Sequence, residues 1–87
     1  ARAGNDWTGW EFVDPQSQGG YFAVFRPEHS PYGLADVRLK GLRVETRFRM
    51  WDVMSGQERE AGGAELSQGI GIALAPGKAQ VWQFSAK

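Results

Sequence analysis

The 87-residue sequence contains no cysteine and one histidine, His29. Without cysteine there is no disulfide framework of the kind that braces many small secreted domains. Cysteine-ligated zinc is excluded for the same reason, and one imidazole cannot build a histidine-rich metal site. Net charge is also missing, because ten Lys and Arg balance ten Asp and Glu. General binders of nucleic acid or of anionic membranes carry an excess of positive charge, so neither partner is expected. No run approaches the roughly 20 apolar residues of a membrane-spanning helix, and the N-terminal ARAGNDW has no apolar signal-peptide core. It has no initiator methionine either, and a segment cut from a longer protein is the expectation. No phosphate-cradling glycine pattern occurs: GIGIALAPGK contains Gly-Lys but neither the spacing nor the strand-to-helix setting of a P-loop. No cofactor is expected.

What the chain does have is aromatic side chains: four Trp, five Phe and two Tyr. Each can bury roughly 150–250 Å², enough to build a core from apolar groups alone in a single domain spanning 1–87. Short segments of period-two alternation are separated by Gly, Pro, Asp and Ser every eight to twelve residues. They predict strands over 7–13, 21–26, 35–42, 44–53, 70–75 and 79–84. Residues 27–34 read as a surface loop, and 58–66 as a polar stretch. The longest stretch without a breaker, 42–54, has strand periodicity, so no helix is expected. The predicted fold is all-β: an antiparallel β-sandwich of about seven short strands, Greek-key-like.

Within YFAVFR at 21–26, Tyr21, Ala23 and Phe25 share one face, and Phe22 and Val24 the other. Both faces are apolar, which predicts a central strand covered on both sides. His29 follows in a Pro-bounded loop with no orienting partner beside it, and reads as solvent-exposed. Two carboxylates suffice for glycoside hydrolysis, but nothing in the spacing of Glu11, Asp14, Glu28, Asp52, Glu58, Glu60 and Glu65 singles out a pair. The strongest surface feature is the outward row Arg43, Glu45, Arg47, Arg49, Trp51, opposite inward Val44, Thr46, Phe48 and Met50. Arg38 and Lys40 on the preceding strand would join that row across a hairpin. Of these, Arg47, Arg49 and Trp51 are the candidate interface or sugar-contact residues. Trp51 could stack on a pyranose while the Arg groups donate hydrogen bonds; the same row also suits a plain solvated edge or a face covered by another domain.

Several segments together resemble a known family. DPQSQGGYFAVFR, VRLKGL, TRFRMWDVMSG and GGAELSQGIGIALAPGKAQVWQF are similar, in that order, to the C-terminal domain of α-galactosidases of glycoside hydrolase family 36. Phe25-Arg26, Leu39-Lys40-Gly41-Leu42, Phe48-Arg49-Met50-Trp51-Asp52, Gly63-Ala64-Glu65-Leu66 and Gly69-Ile70 occupy the family's places. The chain departs from the pattern at Phe48, where the family usually has Tyr, and in its Trp-rich start at Trp7 and Trp10. The resemblance implies an antiparallel sandwich that packs on the catalytic (β/α) barrel of its parent chain. It places the catalytic carboxylates in that barrel, so no catalytic residue carries over to this chain. Structural roles are expected for Phe48, Met50, Val81, Ile72 and Leu74 in the core, and for Gly41 and Gly56 in turns. Asp52 is expected to bond to the backbone of the turn after its strand.

Three functional readings follow: a non-catalytic accessory domain of a glycoside hydrolase, an independent carbohydrate-binding module, or a small enzyme. The module requires at least two aromatic rings exposed on one face.

Overall fold

The computed structural model describes residues 6–87, and in them most of the period-two alternation becomes strand. The sequence reading of ARAGNDW falls mostly on residues 1–5, outside the described residues. Seven strands form: β1 (Thr8–Val13), β2 (Gly20–Phe25), β3 (Leu34–Val37), β4 (Arg47–Asp52), β5 (Glu58–Gly62), β6 (Ile70–Ala73) and β7 (Ala79–Ala86). One short helix, α1 (Gly63–Gln68), joins β5 to β6. A five-stranded sheet has the order β1-β2-β7-β4-β5, and a two-stranded sheet pairs β3 with β6. Every pairing is antiparallel. The last strand closes the larger sheet by inserting between β2 and β4, and the chain crosses between sheets four times to reach it. The all-β sandwich-like fold is therefore as the alternation predicts.

The core lies between the sheets. Phe22 and Val24 from β2, Phe48 and Met50 from β4, Ala61 from β5, and Trp82 and Phe84 from β7 meet Ala35, Val37, Ile70 and Ile72 from the smaller sheet. Phe48 and Phe84 pack edge to face with ring centroids 5.9 Å apart, a favoured aromatic geometry. Two strands cannot cover five, and non-strand segments complete the cover. Leu39 and Leu42 in the connection after β3, Leu66 on α1 and Trp7 ahead of β1 are all buried. The Trp7 indole N–H donates to the Tyr32 carbonyl at 3.0 Å. Arg26 fastens two loops, donating from Nη1 to the Leu74 carbonyl and from Nη2 to the Ser30 carbonyl.

Several expectations are corrected. A helix exists where none was expected. Six residues are too few to display a 3.6 repeat, and Glu65 supports the first turn by accepting from the Gly62 N–H at 3.3 Å. Gly63 lets the chain turn there, because a Cβ at that position would overlap the Arg43 carbonyl oxygen. The polar stretch begins as an edge strand, β5. β3 pairs with β6, not with β4, so Arg38 and Lys40 do not join the Arg47–Trp51 row across a hairpin. Val44 is exposed, because residues 44 and 45 form a turn ahead of β4 and the inward parity starts only at Phe48. Val81 lies half-buried on the outer face, paired with Ala23, instead of in the core. Gly41 and Gly56 occupy left-handed conformations at φ 85° and 76°, as turn glycines do.

Candidate functional site

The second aspect of the five-stranded sheet faces away from β3 and β6 and has no cover among the described residues. Strand register fixes which side chains share it. One row runs Trp10–Ala23–Val81 and the next Phe12–Tyr21–Gln83–Trp51–Glu58, across all five strands. Beyond the latter lie Ser85, Arg49 and Glu60, then Arg47 beside Gly62. Four aromatic side chains at the β1–β2 end are open to solvent: Trp10 at 59%, Phe12 at 55%, Tyr21 at 45% and Phe25 at 37%. Phe12 and Tyr21 stack with centroids 6.2 Å apart. The prediction that β2 is covered on both faces is thereby corrected. Phe22 and Val24 are fully buried, whereas Tyr21 and Phe25 are not, because the smaller sheet reaches one side only.

The β4–β5 end of the same face has different chemistry. Arg47, Arg49 and Trp51 alternate outward there as the sequence predicts, with Phe48, Met50 and Asp52 inward. Arg49 donates through Nε and Nη2 to the same oxygen of Glu58, Oε1. Lys87 Nζ lies 3.0 Å from Glu60 Oε1. A shallow groove lined by Arg49, Trp51, Gly56, Glu58 and Ser85 opens beside this pair. Arg47 shares the face but does not line the groove.

The carboxylates mostly have local partners. Glu11 accepts from the Lys40 N–H, and Asp14 from the Gln16 N–H at 2.9 Å. Asp52 is 4% exposed and anchors the β4–β5 turn: Oδ1 accepts from the Met54 N–H, and Oδ2 from Ser55 Oγ and Gln80 Nε2, each at 2.9 Å. Burial alone pushes its pKa up, but the bonds from Gln80, Met54 and Ser55 outweigh it and hold the carboxyl below its ordinary value. The predicted backbone bond of Asp52 is therefore present. Hydrogen bonding to Lys87 likewise lowers Glu60, and the Gln16 N–H lowers Asp14. These three shifts favour the ionised form, the opposite of what a general acid requires. Among the described residues no group of His, Cys, Asp and Glu is arranged to hold a metal ion.

Sequence reasoning missed Trp10, Phe12, Tyr21 and Phe25 as surface residues. Alternation in WTGWEFV places Trp10 and Phe12 on the face opposite Glu11, and polarity would turn Glu11 outward. Glu11 instead takes the inner parity, where it meets the Lys40 backbone at the rim of the sandwich. The chain matches no family model, no curated protein and no solved structure.

Proposed function

We propose that the chain is a non-catalytic C-terminal accessory domain of an α-galactosidase-like glycoside hydrolase, packing on and stabilising the catalytic (β/α) barrel of its parent chain. Two supports underlie this reading: the ordered motifs from Phe25-Arg26 to Gly69-Ile70, and the β1–β2 end of the outer face. The second carries it. Trp10, Phe12, Tyr21 and Phe25 form an aromatic surface on the five-stranded sheet, and none of the described residues covers it. The contact centres on β1 and β2, the edge pair of the sheet, where a neighbouring domain can approach. Trp and Tyr are also enriched at the buried centres of such contacts.

The test begins with the coding sequence upstream of Ala1. Where it encodes a barrel, the longer chain is expressed and hydrogen exchange across β1 and β2 is compared with that of the 87-residue chain. Slower exchange along both strands, with reduced iodide quenching of Trp10 fluorescence, is the expected result. An upstream sequence with no barrel, or a Trp10 equally open in both chains, overturns the proposal. A carbohydrate-binding role has two features in its favour: Trp10, Phe12, Tyr21 and Phe25 meet its requirement of at least two exposed rings on one face, and the Trp51 groove adds polar groups beside an aromatic ring.

A further inference from the structure

At the β4–β5 end of the outer face, an aromatic ring is framed by hydrogen-bonding groups. Trp51 is half-buried and lines a shallow groove together with Arg49, Glu58, Ser85 and Gly56. Both Arg49 donors engaged by Glu58 go to one carboxylate oxygen, Oε1. A guanidinium has five donors and a carboxylate two acceptor oxygens, so three N–H groups and Oε2 are left for other partners. Ser85 adds a hydroxyl on the far side of the Arg49 pairing position. Gly56 keeps the rim low: no atom lies within 4 Å of where its Cβ would be.

We propose that this groove is a binding subsite for one pyranose unit, with the sugar's C–H face on Trp51 and two vicinal hydroxyls held by the Arg49–Glu58 pair. A sugar ring has an apolar face and a hydroxyl rim, and each hydroxyl both donates and accepts. Adjacent hydroxyls therefore match a guanidinium donor beside a carboxylate acceptor. Other occupants fit less well. An apolar protein surface would strip water from Arg49 and Glu58, whose side chains are 60% and 55% exposed, and give nothing back. A phosphate or carboxylate ligand would meet Glu58 and Glu60 on the same strand as it approached Arg49. The subsite uses β4, β5 and β7, whereas the proposed barrel contact centres on β1 and β2. Either can fail without the other.

The experiment is an NMR titration of the 87-residue chain with methyl α-galactoside, methyl α-glucoside and methyl β-xyloside, with glycerol as a polyol control. At least one pyranoside is expected to shift the Trp51 indole N–H saturably while glycerol does not. A dissociation constant of about 1–10 mM is expected for a ligand of roughly a dozen heavy atoms in an open site. Ser85→Phe places a ring in the groove and is expected to remove the shifts. Glu58→Gln is an exposed change that keeps the fold readable if Ser85→Phe does not fold, and it is expected to weaken binding about fivefold or more through loss of a charged acceptor. Absence of saturation by all three pyranosides up to about 50 mM overturns the subsite. So do shifts that survive both substitutions unchanged.

Discussion

The two faces of the five-stranded sheet are made from the same kind of residue and meet opposite fates. Inward stand Phe22, Phe48, Trp82 and Phe84, all buried; outward stand Trp10, Phe12, Tyr21 and Phe25, all exposed. Aromatic content therefore does not decide which face is core. Cover decides it: β3, β6, α1 and the Leu39–Leu42 connection reach one side only. The outward face is itself divided. Its β1–β2 end is aromatic with few polar groups, and its β4–β5 end carries the Arg49–Glu58 and Lys87–Glu60 pairs.

Truncation on the buried side of the sheet carries the largest expected cost. Phe48→Ala removes a fully buried ring that packs on Phe84, and a loss of about 3–5 kcal/mol is expected in denaturant melts. A loss under about 1 kcal/mol would mean that the ring is solvated and that the parity of β4 is reversed. Gly63→Ala probes the route by which α1 leaves the sheet. The added methyl collides with backbone, not with a side chain that can swing away, so a loss of about 2–4 kcal/mol is expected. Gly41→Ala meets only its φ of 85° with no atom within 4 Å, and should cost about 1 kcal/mol.

Asp52 lies on the inward side but acts through polar contacts. Asp52→Ala leaves the Gln80 amide and the Met54 N–H without their acceptor, and a loss of about 1–3 kcal/mol is expected at neutral pH. The pH dependence has a fixed sign. The folded carboxyl holds its proton less tightly than the unfolded chain, where the value is 3.8. Its contribution is thus complete well above pH 4 and is lost as pH falls through the lowered folded value. Asp52→Asn should flatten the acid side of the stability curve. An acid limb identical to wild type would show that the ionised form receives no special support.

Much of the buried side could be read from the chain. The alternation of RFRMWD assigns its faces through Arg47 and Arg49 on one parity and Phe48 and Met50 on the other; Trp51 and Asp52 reverse that contrast and follow the register of the four residues before them. YFAVF offers no such contrast, since both parities are apolar, and only the two-stranded partner sheet distinguishes Phe22 from Tyr21. Pairing partners were equally hidden. β3 finds β6 across more than thirty intervening residues, a choice made by which side chains fill the sandwich and not by any local signal. EREAG lacks the β-branched and aromatic residues that mark strands; it is held as β5 by the ladder to β4. The candidate groove divides in the same way. Arg49 and Trp51 were visible as an outward row, whereas Glu58 and Ser85 join them only through register.

The smallest expected effect falls on the outward aromatic end. Trp10→Ser and Phe12→Ser together remove large rings from a face open to water, so the stability of the isolated chain should change by under about 1 kcal/mol for each. Interaction should change much more. The wild-type chain is expected to enhance the fluorescence of an apolar dye such as ANS in its native state, and the double variant to lose most of that enhancement, because the dye seats on contiguous apolar surface. The pairing of these two readouts is what sharpens the contrast between faces. A stability loss near that of Phe48→Ala would show the rings already covered in solution, and a second copy of the chain is the available cover. Melting temperature would then rise with protein concentration, as mass action demands of a dimer. Concentration-independent melting together with a small loss leaves the aromatic end vacant in the isolated chain, which is the condition a docking face for another domain must meet.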